Sequence, residues 1–183
     1  MNVRLLALAA LLAIPLASSA EEVVDRARHP TCTGIYTGAA RGVYWCKVSV
    51  VHDPKTDRST LKFDLDDDVQ LTGDALMVAP GGFVWKGAPA VGTMKSSDPG
   101  VASAWAALQT GQIPDRQADY AAGRASPRNP IDQGEISLAL TSVQPGAMVE
   151  GGKAYTVHGT FSVRMTPLPG AKAVGEVEVT VSF

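Results

Sequence analysis

Apolar and polar residues alternate along the last third of the chain. In 155–165 and again in 175–183, every second residue is apolar and the residues between are mostly polar or charged. Successive side chains of a β-strand point to opposite faces, so each segment predicts a half-buried strand. The intervening 166–170 is rich in proline and glycine and predicts a turn. A hairpin that pairs Arg164 with Glu176 would keep both apolar faces together and add a cross-strand ion pair.

Short β-type segments recur through the rest of the chain and are separated by turn residues. These segments are 32–37, 42–52, 60–65, 69–72, 75–78, 83–86, 91–95, 101–110 and 136–140. The alanine content of 101–110 is also compatible with a helix, but its β-type surroundings favour a strand. The pattern predicts an all-β, antiparallel β-sandwich of about eight or nine short strands, with a closed antiparallel β-barrel as the alternative.

The longest irregular stretch is 111–134, which contains three prolines and three glycines. A loop of this length in a compact domain is usually functional or disordered. An anionic partner could bind there to Arg116, Arg124 and Arg128, with Tyr120. The preferred interpretation is that these arginines keep the loop solvated.

Two cysteines, Cys32 and Cys46, lie on the first two predicted strands. A hairpin with its turn at 38–40 can place them face to face. The same register sets Gly34 opposite Tyr44 and Tyr36 opposite Gly42, an arrangement in which an aromatic ring covers a strand glycine. We therefore predict one hairpin disulfide. A redox role is disfavoured because the Cys-x-x-Cys spacing is absent.

The N-terminus has the three parts of a secretory signal peptide. Arg4 supplies the positive charge, an apolar run follows from Leu5 to Leu16, and Ser18-Ser19-Ala20 provides small residues for cleavage. The apolar run is shorter than the about 20 residues of a transmembrane helix. The expected organisation is a cleaved signal peptide at 1–20 and one β-rich domain at 21–183, located in the periplasm or outside the cell.

The net charge of the chain indicates which classes of binding partner are favoured. The whole chain has 16 Lys and Arg against 18 Asp and Glu, and loss of Arg4 leaves 15 against 18, a net charge of −3. This balance does not favour nucleic acid or an anionic membrane as a partner. The mature chain also contains no predicted transmembrane helix. A protein or glycan partner stays open.

The densest acidic cluster is 64–68, with Asp74 close behind. Asp64, Asp66 and Asp68 match the first three ligand positions of an EF-hand calcium loop, but Val69 stands where that loop requires glycine. These three aspartates are a candidate calcium site of another type. The alternative is a solvated acidic turn, and no other cofactor is predicted.

Catalytic motifs are absent from the sequence. Zinc binding or acid–base catalysis would require His29, His52 and His158 to converge, and nothing in the pattern brings them together. Neither a His-Glu-x-x-His nor a Gly-x-Ser-x-Gly motif occurs.

The three tryptophans could line an apolar or carbohydrate-binding surface, but core packing is the preferred interpretation. They are Trp45, Trp85 and Trp105.

Three functions are compatible with the sequence, in the following order of preference. The first is an exported, non-catalytic binding or structural β-module. The second is a small outer-membrane β-barrel, indicated by the alternating last strand that ends in Phe183 but weakened by the scarcity of aromatic residues for membrane girdles. The third is a secreted hydrolase whose site leaves no short motif.

Overall fold

The computed structural model describes residues 31–65, 72–73, 75–110, 120–123, 134–171 and 173–183. These residues form eleven β-strands. The strands are β1 (Thr31–Gly38), β2 (Gly42–Asp53), β3 (Arg58–Leu65), β4 (Thr72–Gly73), β5 (Ala75–Lys86), β6 (Gly92–Lys95), β7 (Val101–Thr110), β8 (Tyr120–Gly123), β9 (Ile136–Val149), β10 (Gly152–Pro167) and β11 (Val177–Ser182). In this part of the chain no helix has the length and apolar character needed to cross a membrane.

The strands form one antiparallel sheet that closes into an eight-strand barrel. The ring runs β10–β11–β1–β2–β3–β5–β7–β8 and closes where β8 pairs with the end of β10. Strands β9 and β6 continue the sheet from β10 outside this ring, and β4 pairs with β2. The all-β antiparallel prediction is confirmed. The fold meets the predicted sandwich only loosely and is described by the barrel alternative. The sequence pattern does not distinguish the two architectures, because sandwiches and barrels alike bury one face of each strand.

Inward-facing apolar side chains fill the barrel. The predicted alternation in β10 and β11 is confirmed, since Val157, Phe161 and Val181 are almost fully buried. Phe63 lies at the centre of an aromatic cluster, with its ring centroid 5.0 Å from that of Phe161 and 5.5 Å from that of Phe183. The interior is therefore a packed core, as in other small barrels whose side chains fill the lumen.

The first hairpin has the predicted register. Cys32 lies opposite Cys46, Gly34 opposite Tyr44, and Tyr36 opposite Gly42. The two cysteines form a buried disulfide. The Tyr44 ring covers Gly34 so closely that a Cβ atom at that position would overlap it. Glycine at position 34 is therefore what allows the large ring to lie inside the barrel.

Two expectations about strand boundaries are corrected. The segments 75–78 and 83–86, predicted as separate strands, are one strand, because β5 continues through 79–82 with a register shift between Ala79 and Gly82. Gly81 adopts φ of +120°, which a β-bulge can use to insert residues without ending the strand. The stretch 111–134 is also not wholly irregular, because it contains the four buried residues of β8.

The last hairpin has a different register from the one predicted. Arg164 lies opposite Glu178, and Glu176 precedes β11. A shift of two residues leaves every side chain on its expected face, so alternation alone cannot distinguish the two registers. The expected ion pair with Glu176 still forms, with Arg164 Nε 3.7 Å from Glu176 Oε2.

Candidate ligand-binding face

Hydroxyl side chains line the outer face of β9, β10, β11 and β1. In one row Thr160 lies opposite Ser182, which in turn lies opposite Thr33. The neighbouring row runs through Ser137, Ser162 and Thr180. We call these six residues the hydroxyl face. All six are exposed or partly exposed, and no side-chain hydrogen bond to another described residue occupies them.

An open groove of about 490 Å³ follows the second row of the hydroxyl face. Ser137, Ser162 and Thr180 line it, together with the charged side chains of Glu135, Arg164 and Glu178. The groove lies across β9, β10 and β11, whose mutual hydrogen bonding fixes its shape. Its lining offers hydroxyl, carboxylate and guanidinium groups to a polar ligand.

The cations at the groove are paired with carboxylates. The Arg164 guanidinium donates to Glu178 Oε1 at 2.8 and 3.2 Å. That hydrogen bond, followed by the charges of Glu178 and Glu176, raises the pKa of Arg164. Lys95 Nζ lies 3.0 Å from Glu135 Oε1. These exposed ion pairs are screened by water and contribute little to the stability of the fold. Together they place two cations among three carboxylates at the groove and beside it.

An apolar patch adjoins the hydroxyl face on the disulfide-linked hairpin. Ile35 lies between Thr180 of β11 and Val43 of β2, and Trp45 lies opposite Thr33. The side chains of Ile35 and Trp45 are 50% and 47% exposed. We call Ile35, Val43 and Trp45 the Trp45 patch. Contiguous exposed apolar side chains mark binding surfaces more often than isolated ones do.

The predicted preference for core packing of the tryptophans holds for one of the three. Trp85 is buried and its ring centroid lies 6.1 Å from that of Phe83. Trp45 faces outward, on the side away from the disulfide. Trp105 is 38% exposed, packs over Gly82, and lies on β7, three strands around the ring from β2. The two exposed tryptophans therefore belong to different sides of the barrel.

A serine, a histidine and an aspartate meet at the β2–β3 turn. Ser59 is fully buried and donates to the Gly87 carbonyl at 2.6 Å, so we assign the Nδ1 proton of His52 to the hydrogen bond with Ser59 Oγ at 3.2 Å. His52 Nε2 lies 4.0 Å from Asp57 Oδ1. A nucleophilic serine must give its proton to its base and reach the substrate. This serine does neither, and the cluster ties the turn to the neighbouring loop.

The two histidines within the described residues do not lie together. His158 is exposed on β10, while His52 lies at the end of β2. His29 lies outside the described residues. The loop arginines Arg116, Arg124 and Arg128 also lie outside them. Tyr120, expected in that loop, is a buried residue of β8 whose hydroxyl donates to the Val174 carbonyl at 3.1 Å.

Most of the candidate calcium ligands fall outside the described chain. Asp64 is exposed near the end of β3, opposite Lys47. Asp66 and Asp68 lie outside the described residues, as do Asp67 and Asp74. Among the residues that are described, no group of three histidine, cysteine, aspartate or glutamate side chains could hold a metal ion. Calcium binding by the acidic run stays a prediction.

The sequence pattern did not reveal the candidate face. It marked Thr160, Ser162, Thr180 and Ser182 as polar strand positions, but their adjacency to Thr33 depends on the pairing of the first and last strands. Comparisons with protein families, curated proteins and solved structures find no match to this chain. The case for a function therefore depends on the fold and on this face.

Proposed function

We propose that this protein is an exported, non-catalytic binding module that holds its ligand on the hydroxyl face and the Trp45 patch. The observation that carries the proposal is the half-exposed indole of Trp45 beside Ile35 and Val43, on a strand pair fixed by a disulfide. Tryptophan dominates the energetics of many binding surfaces. A rigid strand scaffold also reduces the entropic cost of binding.

Export is supported by two independent features. The tripartite N-terminal sequence has the form of a cleaved secretory signal. The buried Cys32–Cys46 disulfide is consistent with folding in an oxidising compartment outside the cytoplasm.

The distribution of side chains supports this proposal over an outer-membrane barrel. The inward-facing residues are apolar, whereas Thr160, Arg164, Glu178 and Thr180 face outward. A membrane-spanning barrel requires an apolar band on its outer surface, which is the reverse arrangement. The hydrolase alternative loses support because the hydroxyl of Ser59 is buried and bonded to a carbonyl oxygen.

The experiment is a co-sedimentation assay. The chain is expressed with its own N-terminus, released from a bacterial periplasm by osmotic shock without detergent, and centrifuged with washed cell envelopes of the same host. We expect the wild-type chain to sediment with the envelopes and Trp45→Ala to stay in the supernatant. Trp105→Ala, which removes the exposed tryptophan on the far side of the barrel, is the matched control and should sediment like the wild type.

Two results would contradict the proposal. One is equal sedimentation of Trp45→Ala and the wild type, or no sedimentation of either. The other is a wild-type chain that leaves the membrane fraction only in detergent, which would favour the outer-membrane alternative. Circular dichroism of each variant establishes that the β fold is retained.

A further inference from the structure

We infer that the ligand held by this face is a neutral glycan chain that lies along the groove and stacks on Trp45. The inference rests on the proposed function and adds the chemical class of the ligand. It draws on three properties of the surface: the kind of polar groups, the local charge and the position of the indole.

The polar groups match a sugar better than a protein. A hydroxyl side chain both donates and accepts hydrogen bonds, as the hydroxyl groups of a pyranose do. Six such side chains occupy two adjacent rows across β9, β10, β11 and β1, and all are accessible. Protein interfaces are instead depleted in serine and have a larger apolar core than the three residues of the Trp45 patch provide.

The charge at the groove disfavours an anionic chain. Arg164 is the cation that lines the groove and is paired with Glu178 and Glu176, while the lining carboxylate Glu135 is paired with the adjacent Lys95. Three carboxylates against two cations leave a local net charge of −1. Phosphate, sulfate or uronate groups would therefore meet net repulsion and no unpaired cation of the described groove. A neutral sugar can instead hydrogen-bond to the outer lone pairs of these carboxylates.

The indole supplies the apolar contact. A pyranose ring has one face of C–H groups and a rim of hydroxyl groups, so it can stack on Trp45 while its rim reaches Thr33 and Ser182. From Thr180 on β11, at the edge of the groove, to Trp45 on β2 the surface crosses two strand spacings, about 10 Å. That span accommodates a short run of linked sugar rings.

Two measurements test the ligand class. In the first, envelopes are treated with proteinase K before co-sedimentation, which removes their proteins and leaves their glycans. In the second, the purified chain is titrated calorimetrically with cellohexaose, chitohexaose and maltohexaose, which are neutral, and with polygalacturonate, which is anionic. We expect sedimentation to survive the protease, at least one neutral oligomer to bind, and polygalacturonate not to bind.

Variants link that binding to the face. Trp45→Ala should weaken binding of the neutral oligomer at least about tenfold. Thr180→Val, which removes one hydroxyl from the groove and keeps the shape of the side chain, should weaken it about fivefold. Trp105→Ala should bind like the wild type, since Trp105 lies on the other side of the barrel.

The outcomes separate this inference from the proposed function. If sedimentation disappears after protease treatment but still depends on Trp45, the ligand is a protein, so the glycan inference is overturned and the binding face stands. If none of the three neutral oligomers binds, or polygalacturonate binds as tightly, the inference is also overturned. If sedimentation does not depend on Trp45 at all, both the proposed function and the glycan inference fail.

Discussion

The Tyr44 hydroxyl offers a test of the packed barrel interior. Tyr44 is fully buried, and its Oη has no hydrogen-bond partner among the described residues. Most buried hydroxyls are satisfied, so an unpartnered one should reduce stability. Tyr44→Phe keeps the ring that covers Gly34 and removes only the oxygen.

The expected effect is a gain in stability. Leaving a buried polar group unsatisfied costs about 1–3 kcal/mol, part of which is offset by the small void left when the oxygen is removed. We expect a net gain of about 1 kcal/mol, which corresponds to a rise in Tm of about 3 °C for a chain of this size. The measurement is thermal unfolding followed by circular dichroism at neutral pH.

Tyr120 is the matched control. It is also buried, but its hydroxyl donates to the Val174 carbonyl at 3.1 Å. Tyr120→Phe should lower stability by about 1 kcal/mol, because it removes a satisfied hydrogen bond. A fall in Tm for Tyr44→Phe of the size seen for Tyr120→Phe would refute the reasoning, since it would show that the Tyr44 hydroxyl is also satisfied.

Alkaline pH extends the same test. Burial raises the pKa of Tyr44 above its ordinary value of 10.0. Below pH 10 the phenol is protonated in both folded and unfolded chains. Above pH 10 the unfolded chain loses this proton while the folded chain retains it, so wild-type stability falls as pH rises. The Tm advantage of Tyr44→Phe should therefore widen above pH 10, and an unchanged difference would count against burial as the cause.

Three further predictions concern stability. Replacing Cys32 and Cys46 together with serine should lower the free energy of unfolding by about 3 kcal/mol in urea denaturation, and an unchanged midpoint would argue against the disulfide. Ser59→Ala leaves two hydrogen-bond partners unsatisfied and should cost about 1–3 kcal/mol in the same assay, whereas no loss would show that the turn cluster is not structural. Gly34→Ala should cost about 2 kcal/mol because its Cβ meets the Tyr44 ring. That cost should largely vanish in a Tyr44→Ala background, and equal costs in both backgrounds would contradict the contact.

Local features of the sequence were reliable where neighbouring residues decide the structure. The first hairpin is an example, because a short turn restricts the possible registers and the pairing of Cys32 with Cys46 selects among them. The last hairpin is the opposite case, because its nine-residue connection permits several registers. Alternation predicted the faces correctly there, but not the partner of Arg164.

The sequence by itself determined the strand type, the inward and outward faces and the hairpin disulfide, since these follow from a period of two and from contacts close in the chain. Only the tertiary structure decided that the sheet closes through β8 and β10, and that β1 pairs with β11. The β8–β10 pairing joins residues 45 to 47 positions apart and the β1–β11 pairing joins residues 139 to 149 positions apart. The register of each depends on the strands between them in the ring. The candidate face lies across one of these junctions, where Thr33 meets Ser182 and Ile35 meets Thr180. Its composition was visible in the sequence, and its assembly required the closed barrel.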